Sequence, residues 1–281
     1  MLTVTVTDHD RNYVMGLTRD VFTITDEKVA RPISSFNDSE EPMSIGILID
    51  TSGSMQQPEA REVARAEPIS GALQRFLELG NPDNEYFVAS FDAGFRMLSD
   101  WQNAKGLIAN KPVIAQEKKE TALYDACFAA LDRLGSGRYQ KRALILFSDG
   151  LDGVSKRKYP ELVRKLKESD VMFYAVGPRQ VFGGPFASFS LVLKEGEAVL
   201  GGLAGINGGV ALIAENQPQF MRAIEQIAIE LRHQYRLGFH SESGASQNEW
   251  RHLKVRVAPP ANAPSNFSKL IIRTRQGFYS Q

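Results

Sequence analysis

Asp50, Ser52 and Ser54 stand two residues apart in Ile45-Gly46-Ile47-Leu48-Ile49-Asp50-Thr51-Ser52-Gly53-Ser54-Met55, a carboxylate followed by two hydroxyls with a glycine between the serines. Hard oxygen donors in this pattern suit Mg²⁺ or Mn²⁺ better than Zn²⁺. Alternate positions at the carboxyl end of a strand can turn toward one point, and open α/β sheets bind ligands at that edge. One loop alone holds a cation weakly, so further ligands are expected from other strand ends. Asp149 closes a second apolar run, Ala143-Leu144-Ile145-Leu146-Phe147-Ser148, and Thr121 opens the helical pattern Thr121-Ala122-Leu123-Tyr124-Asp125-Ala126. Both put oxygen where the cation model needs it.

The elements that must position these groups follow from hydrophobic period. The run 45–50 is β-branched and aliphatic without polar alternation, the mark of a parallel strand buried on both faces. A helix is expected over most of 59–79, with Pro68 kinking or dividing it. Strands at 86–91 and 95–98 form a hairpin across Asp92-Ala93-Gly94. A helix at about 121–134, the strand 143–148, a helix from Pro160 to Lys167 and a strand 171–177 continue the alternation. Residues 178–209 are rich in glycine and are expected to hold a mobile loop and a short helix near 200–206. An edge strand over 210–214 and a closing helix over 217–232 complete a doubly wound, mostly parallel sheet with helices on both faces.

Both chain ends read differently. Residues 2–7, 21–25 and 29–36 alternate as strands, as do 235–240, 253–257 and 270–275, with turns in 241–248 and 259–264. Neither end has enough strands to bury a core alone. The expected organisation is therefore an α/β domain over 43–232, inserted into a small β-sandwich built from 1–42 and 233–281.

Composition narrows the class of function. Acidic and basic residues balance at 33 each over 281 residues, which gives no electrostatic footprint for nucleic acid. No apolar run reaches the ~20 residues that span a bilayer. The first residues lack the charged and apolar regions of a signal peptide. The single cysteine, Cys127, excludes an intramolecular disulfide and lies in a helical, apolar setting as a buried small hydrophobe. His9, His233, His240 and His252 show no metal-binding spacing, Trp101 and Trp250 read as packing anchors, and Asp92 and Asp152 read as solvated loop acids with a possible outer role at the cation.

On these residues the chain resembles the von Willebrand factor type A domains, whose metal-ion-dependent adhesion site combines Asp-x-Ser-x-Ser with a threonine and an aspartate from two later loops. The match stands at Asp50, Ser52, Ser54, Thr121 and Asp149, in the family's order, across roughly 43–232. The flanking Val4-Thr5-Val6-Thr7-Asp8, Gly16-Leu17-Thr18-Arg19-Asp20-Val21-Phe22, Leu231-Arg232-His233-Gln234-Tyr235-Arg236-Leu237-Gly238-Phe239 and Arg275-Gln276-Gly277-Phe278-Tyr279 resemble the acidobacterial-type VWFA-related subgroup. Glu120 departs from the pattern where relatives often carry glycine, and is expected to face water. The resemblance implies a Rossmann-like fold, a Mg²⁺ or Mn²⁺ site, a protein partner presenting Asp or Glu to the ion, no enzymatic activity, and an extracellular or periplasmic location.

Two other readings compete. A metal-dependent phosphohydrolase would also place aspartates at strand ends, but its nucleophile loop wants a second aspartate where this chain has Ser52, and no phosphate-binding glycine loop or nucleophile elbow is present. A structural module with an empty site is the third.

Overall fold

The computed structural model describes residues 1–56, 66–115, 120–179, 189–241, 248–258 and 270–280. At its centre is a six-stranded sheet built from β5 (Ser44–Asp50), β6 (Glu85–Phe91), β7 (Phe95–Asn103), β8 (Arg142–Phe147), β9 (Val171–Pro178) and β10 (Ala211–Ala214), in the order β10-β9-β8-β5-β6-β7. All neighbours run parallel except the β6–β7 hairpin. Every residue of β5 is buried, which is why its sequence lacks alternation.

The two faces of β5 feed separate cores. Ile45, Ile47 and Ile49 pack with α1 (Ala66–Leu79) and α6 (Gln217–Arg232), the latter through Phe220, Ile224 and Ile227. Leu48 faces the opposite layer of α3 (Leu123–Leu134), α4 (Tyr159–Glu168) and α5 (Phe189–Ile206), with Cys127, Leu162 and Leu203. Each fully buried aliphatic side chain contributes roughly 1.5–3 kcal/mol. A short helix, α2 (Ala104–Asn110), follows β7; it was not expected from the sequence, and the Asn103 side chain caps it by accepting from Gly106 N.

The chain ends form two four-stranded antiparallel sheets. One pairs β1 (Leu2–Thr7) with β11 (Tyr235–Phe239) and β13 (Ile271–Arg273), with β4 (Ile33–Asn37) on the far side of β11. The other has the order β14 (Gly277–Tyr279), β12 (Trp250–Val257), β2 (Phe22–Asp26), β3 (Val29–Arg31). Val4, Tyr235 and Leu237 of the first sheet share one hydrophobic cluster with Phe22, Ile24 and Val255 of the second. Pro32 divides the single strand expected over 29–36 into β3 and β4.

The largest departure from the sequence reading is α5. A short helix was expected near 200–206, yet the helix runs from Phe189 to Ile206. Its glycines were read as loop residues because they lower helix propensity. Gly196 serves close packing instead: a Cβ there would lie 2.3 Å from the Asp149 carbonyl oxygen. Pro68 is the third residue of the described part of α1, which starts at Ala66. The expected start of that helix at 59, the loop residues 180–188, and most of the turns in 241–248 and 259–264 lie outside the described residues. Among the described residues no helix is long and apolar enough to cross a membrane.

Candidate metal centre

β5 and β8 are paired in register up to Ile49 opposite Phe147, so Asp50 and the pair Ser148-Asp149 emerge at one carboxyl edge. Asp50 is fully buried. Its Oδ1 accepts from Ser52 N at 3.0 Å, a turn that directs the chain back over the strand end. Its Oδ2 accepts from Ser148 Oγ at 2.7 Å. Thr51 ties the same loop to β6, its N and Oγ1 donating to Phe91 O at 2.8 and 2.9 Å. The Ser52 and Ser54 hydroxyls are hydrogen-bonded to each other at 3.1 Å.

Thr121 comes to the same edge because backbone bonds hold its loop on both sides. Its carbonyl accepts from Gly153 N at 2.8 Å and Val154 N at 3.1 Å, and Ala122 N donates to Asp92 O at 2.7 Å. Asp152 accepts from Tyr124 N and from Ser155 Oγ, and Asp125 accepts from the backbone of Lys156 and Arg157. Asp92 is 2 % exposed, with Arg96 Nη2 and Gly94 N on its carboxylate. The reading of Asp92 and Asp152 as solvated loop acids is therefore corrected: both fasten the loops that carry the site.

Asp149 is also buried, and its Oδ1 accepts from Leu151 N at 3.1 Å. The following Gly150 has φ +82, and an added Cβ would lie 2.3 Å from Gly196 O, so α5 lies directly on the Asp149–Gly150 turn. Burial first, and then the charge of Asp149, push the Asp50 carboxyl up to about 7. Ser54 and Thr121 face a cavity of about 400 Å³, with Glu120, Tyr124, Asp152 and Glu195 also on its wall. Glu120 is exposed, as expected.

Asp50 is hydrogen-bonded to Ser52 and Ser52 to Ser54, the Asp149 charge acts on Asp50, and Ser54 and Thr121 line one cavity, whose wall does not include Asp50, Ser52 or Asp149. Sequence reasoning missed Ser148, which links Asp50 to the Gly150 turn by accepting from Gly150 N at 3.1 Å. The signal for it was a hydroxyl at the end of an otherwise apolar strand, one position before a carboxylate. Among the described residues no three His, Cys, Asp or Glu side chains are grouped to hold a metal.

Residues 45–151, a stretch holding all five oxygen-bearing residues, match the family model of the von Willebrand factor type A domain. Among solved structures, proximal thread matrix protein 1 from the mussel byssus, with a zinc-occupied MIDAS motif, superposes with a TM-score of 0.54 at 13 % identity, covering 74 % of this chain and 50 % of that one. The PilB minor pilin from Streptococcus sanguinis superposes with a TM-score of 0.52 at 13 % identity, covering 72 % of this chain and 63 % of the pilin. The matched regions take in less than two thirds of either relative's length, and at such identities the likeness is one of fold. No curated protein sequence matches the chain. The family match over 45–151 and the six-stranded, mostly parallel sheet clothed by helices agree: the chain has the fold of a von Willebrand factor type A domain.

Proposed function

We propose that this protein is a non-enzymatic interaction module, in which Asp50, Ser52, Ser54, Thr121 and Asp149 hold a Mg²⁺ or Mn²⁺ ion and a protein partner presents an Asp or Glu carboxylate to it. The observation that carries this reading is the setting of Asp50. Its carboxylate is fully buried, its hydrogen-bond donors Ser52 N and Ser148 Oγ are both neutral, and the Asp149 charge adds to the cost of ionising it. A divalent cation offsets that cost, and the all-oxygen donor set fits a hard ion.

When bound, the ion supplies a Lewis-acidic position for a carboxylate. Ser148 and the Ser52 amide orient the Asp50 oxygens. The loops stapled through Thr121 O keep that threonine at the edge. With three of the five ligands neutral hydroxyls, the ion keeps more of its Lewis acidity for the partner than a set richer in carboxylates would leave it.

We also read 43–232 as the von Willebrand factor type A domain, set between 1–42 and 233–281, which together form the sandwich; the shared cluster of Val4, Ile24, Leu237 and Val255 supports this division. An extracellular or periplasmic location follows from the family resemblance, and two relatives of like fold are a minor pilin and a byssus matrix protein.

Calorimetric titration with Mn²⁺ and Mg²⁺ tests the reading. The wild-type chain is expected to take up one ion, and Asp50→Ala and Thr121→Ala to lose at least tenfold in affinity while staying folded by circular dichroism. An ion uptake unchanged by both substitutions would sink the assignment. Partner binding that survives EDTA would sink the bridged mechanism while leaving the ion site intact.

A further inference from the structure

A second cavity, of about 630 Å³, opens at the opposite end of the central sheet, where the start of β8 and the ends of α3 and α4 meet β11. Its volume is in the range of small-molecule sites. Its wall carries several charged side chains, and most of the acids are already matched. Lys165 pairs with Asp132, Arg275 with Asp170, and Glu168 receives Arg164 Nε at 2.8 Å. Lys141, Arg142 and Arg236 remain with no carboxylate partner on the wall.

Two of these three cations are more than nine-tenths buried, Lys141 at 5 % and Arg236 at 8 % exposure. Lys141 Nζ donates to the Leu231 carbonyl at 2.8 Å, at the end of α6. Arg142 Nε donates to Tyr139 O at 3.1 Å, with Gly135 O and Gly137 O at 3.4 Å from Nη2. The carboxylate paired with Arg236 is that of Glu41, 3.6 Å from Nη1 and outside the cavity wall, and its enclosed Nε has no hydrogen-bond partner among the described residues. Arg236 therefore keeps one donor that no group among the described residues uses. Glu41 beside Arg236 offsets part of the cost of burying these cations, and an anion in the cavity would offset more. Burial, and then the Arg236 charge, lower the Lys141 ammonium pKa, while Glu41 and Glu40 act the other way.

We propose that this cavity is a second ligand site, which takes a small phosphate or phosphate monoester between Lys141, Arg142 and Arg236. A doubly charged, tetrahedral oxyanion can answer several cations of one wall at once, and the planar guanidinium fork matches its oxygens. Lys141 precedes β8 of the central sheet and Arg236 lies on β11 of the antiparallel sheet, so the ligand would tie the two sheets together. The site is independent of the cation reading, since it shares no residue with it.

The test is thermal unfolding of the full chain in EDTA at constant ionic strength, titrated with inorganic phosphate or with glycerol phosphate and compared with chloride. EDTA removes any divalent ion, so the outcome does not depend on the metal centre. Phosphate is expected to raise the midpoint saturably, with apparent affinity falling about tenfold or more in Arg236→Gln and in Arg142→Gln. Saturation by glycerol phosphate as well would identify the site as one for monoesters, and saturation by inorganic phosphate alone as one for the free ion. If Arg236→Gln does not fold, the half-buried Arg142→Gln decides. A phosphate effect matched by chloride would overturn the proposal, as would full affinity retained in the folded variants.

Discussion

The Ser148 hydroxyl donates to Asp50 Oδ2 at 2.7 Å and accepts from Gly150 N at 3.1 Å, so one side chain joins the end of β5 to the turn after β8. Removing it leaves the buried carboxylate with Ser52 as its remaining hydrogen-bond partner. Ser148→Ala is expected to lower unfolding free energy by about 1–3 kcal/mol in metal-free buffer and to weaken Mg²⁺ uptake. Urea unfolding with and without Mg²⁺ measures both. A variant as stable as the wild type, with unchanged uptake, would show that the bond has no role.

The residues proposed for the cation stood out in the sequence because each lies at the limit of an element with a strong signal. Asp50 and Asp149 close apolar runs, and Thr121 opens a periodic one. What fastens them was not legible, since the bonds from Gly153 N to Thr121 O and from Ala122 N to Asp92 O join segments with no local pattern. The same holds for α5. Glycine is a poor helix former in isolation, and only the approach of Gly196 to the Asp149 carbonyl explains why a glycine-rich stretch is helical there. The closing helix was read from its apolar spacing to the limits observed, Gln217–Arg232, and the Asn216 cap and Pro218 of the structure agree with that spacing.

That close approach separates two glycines of one helix. A methyl group at Gly196 would meet Asp149 O at 2.3 Å, whereas at the exposed Gly201 it would meet nothing within 4 Å. Gly196→Ala is expected to destabilise by about 1–3 kcal/mol through overpacking. Gly201→Ala should stabilise by roughly 0.5–1 kcal/mol through the unfolded chain. Paired thermal melts check the signs, and equal effects at the two positions would show that α5 does not lie on the Asp149 turn.

Glu230, fully buried on α6, receives Tyr174 OH at 2.8 Å, Tyr13 OH at 3.2 Å and the Arg273 guanidinium from β13. This ion pair joins the closing helix to the antiparallel sheet. Glu230→Gln leaves the Arg273 charge uncompensated and is expected to destabilise by on the order of 3 kcal/mol. Combined with Arg273→Met, the loss should be well short of additive. Denaturant unfolding of the two single variants and the double variant gives the coupling, and simple additivity would show that the pair does not act as a unit.

Lys141 sets a pH dependence of unusual sign. Burial, and then the Arg236 charge, lower its ammonium from 10.5 to about 8. Between those values the unfolded chain keeps a proton that the folded chain has released. The unfolded state thus binds more protons, and the Lys141 contribution to stability rises with pH across that window. Below about 8 the group is charged in both states and its buried charge costs stability in full. Lys141→Met removes the contribution, so the variant's stability minus that of the wild type should fall by up to about 3 kcal/mol from pH 7.5 to pH 10.5. Taking the difference cancels the titration of the tyrosines, which is common to both proteins. Urea unfolding in phosphate-free buffer across this range measures it, and a flat difference would mean that Lys141 is not held as a buried cation.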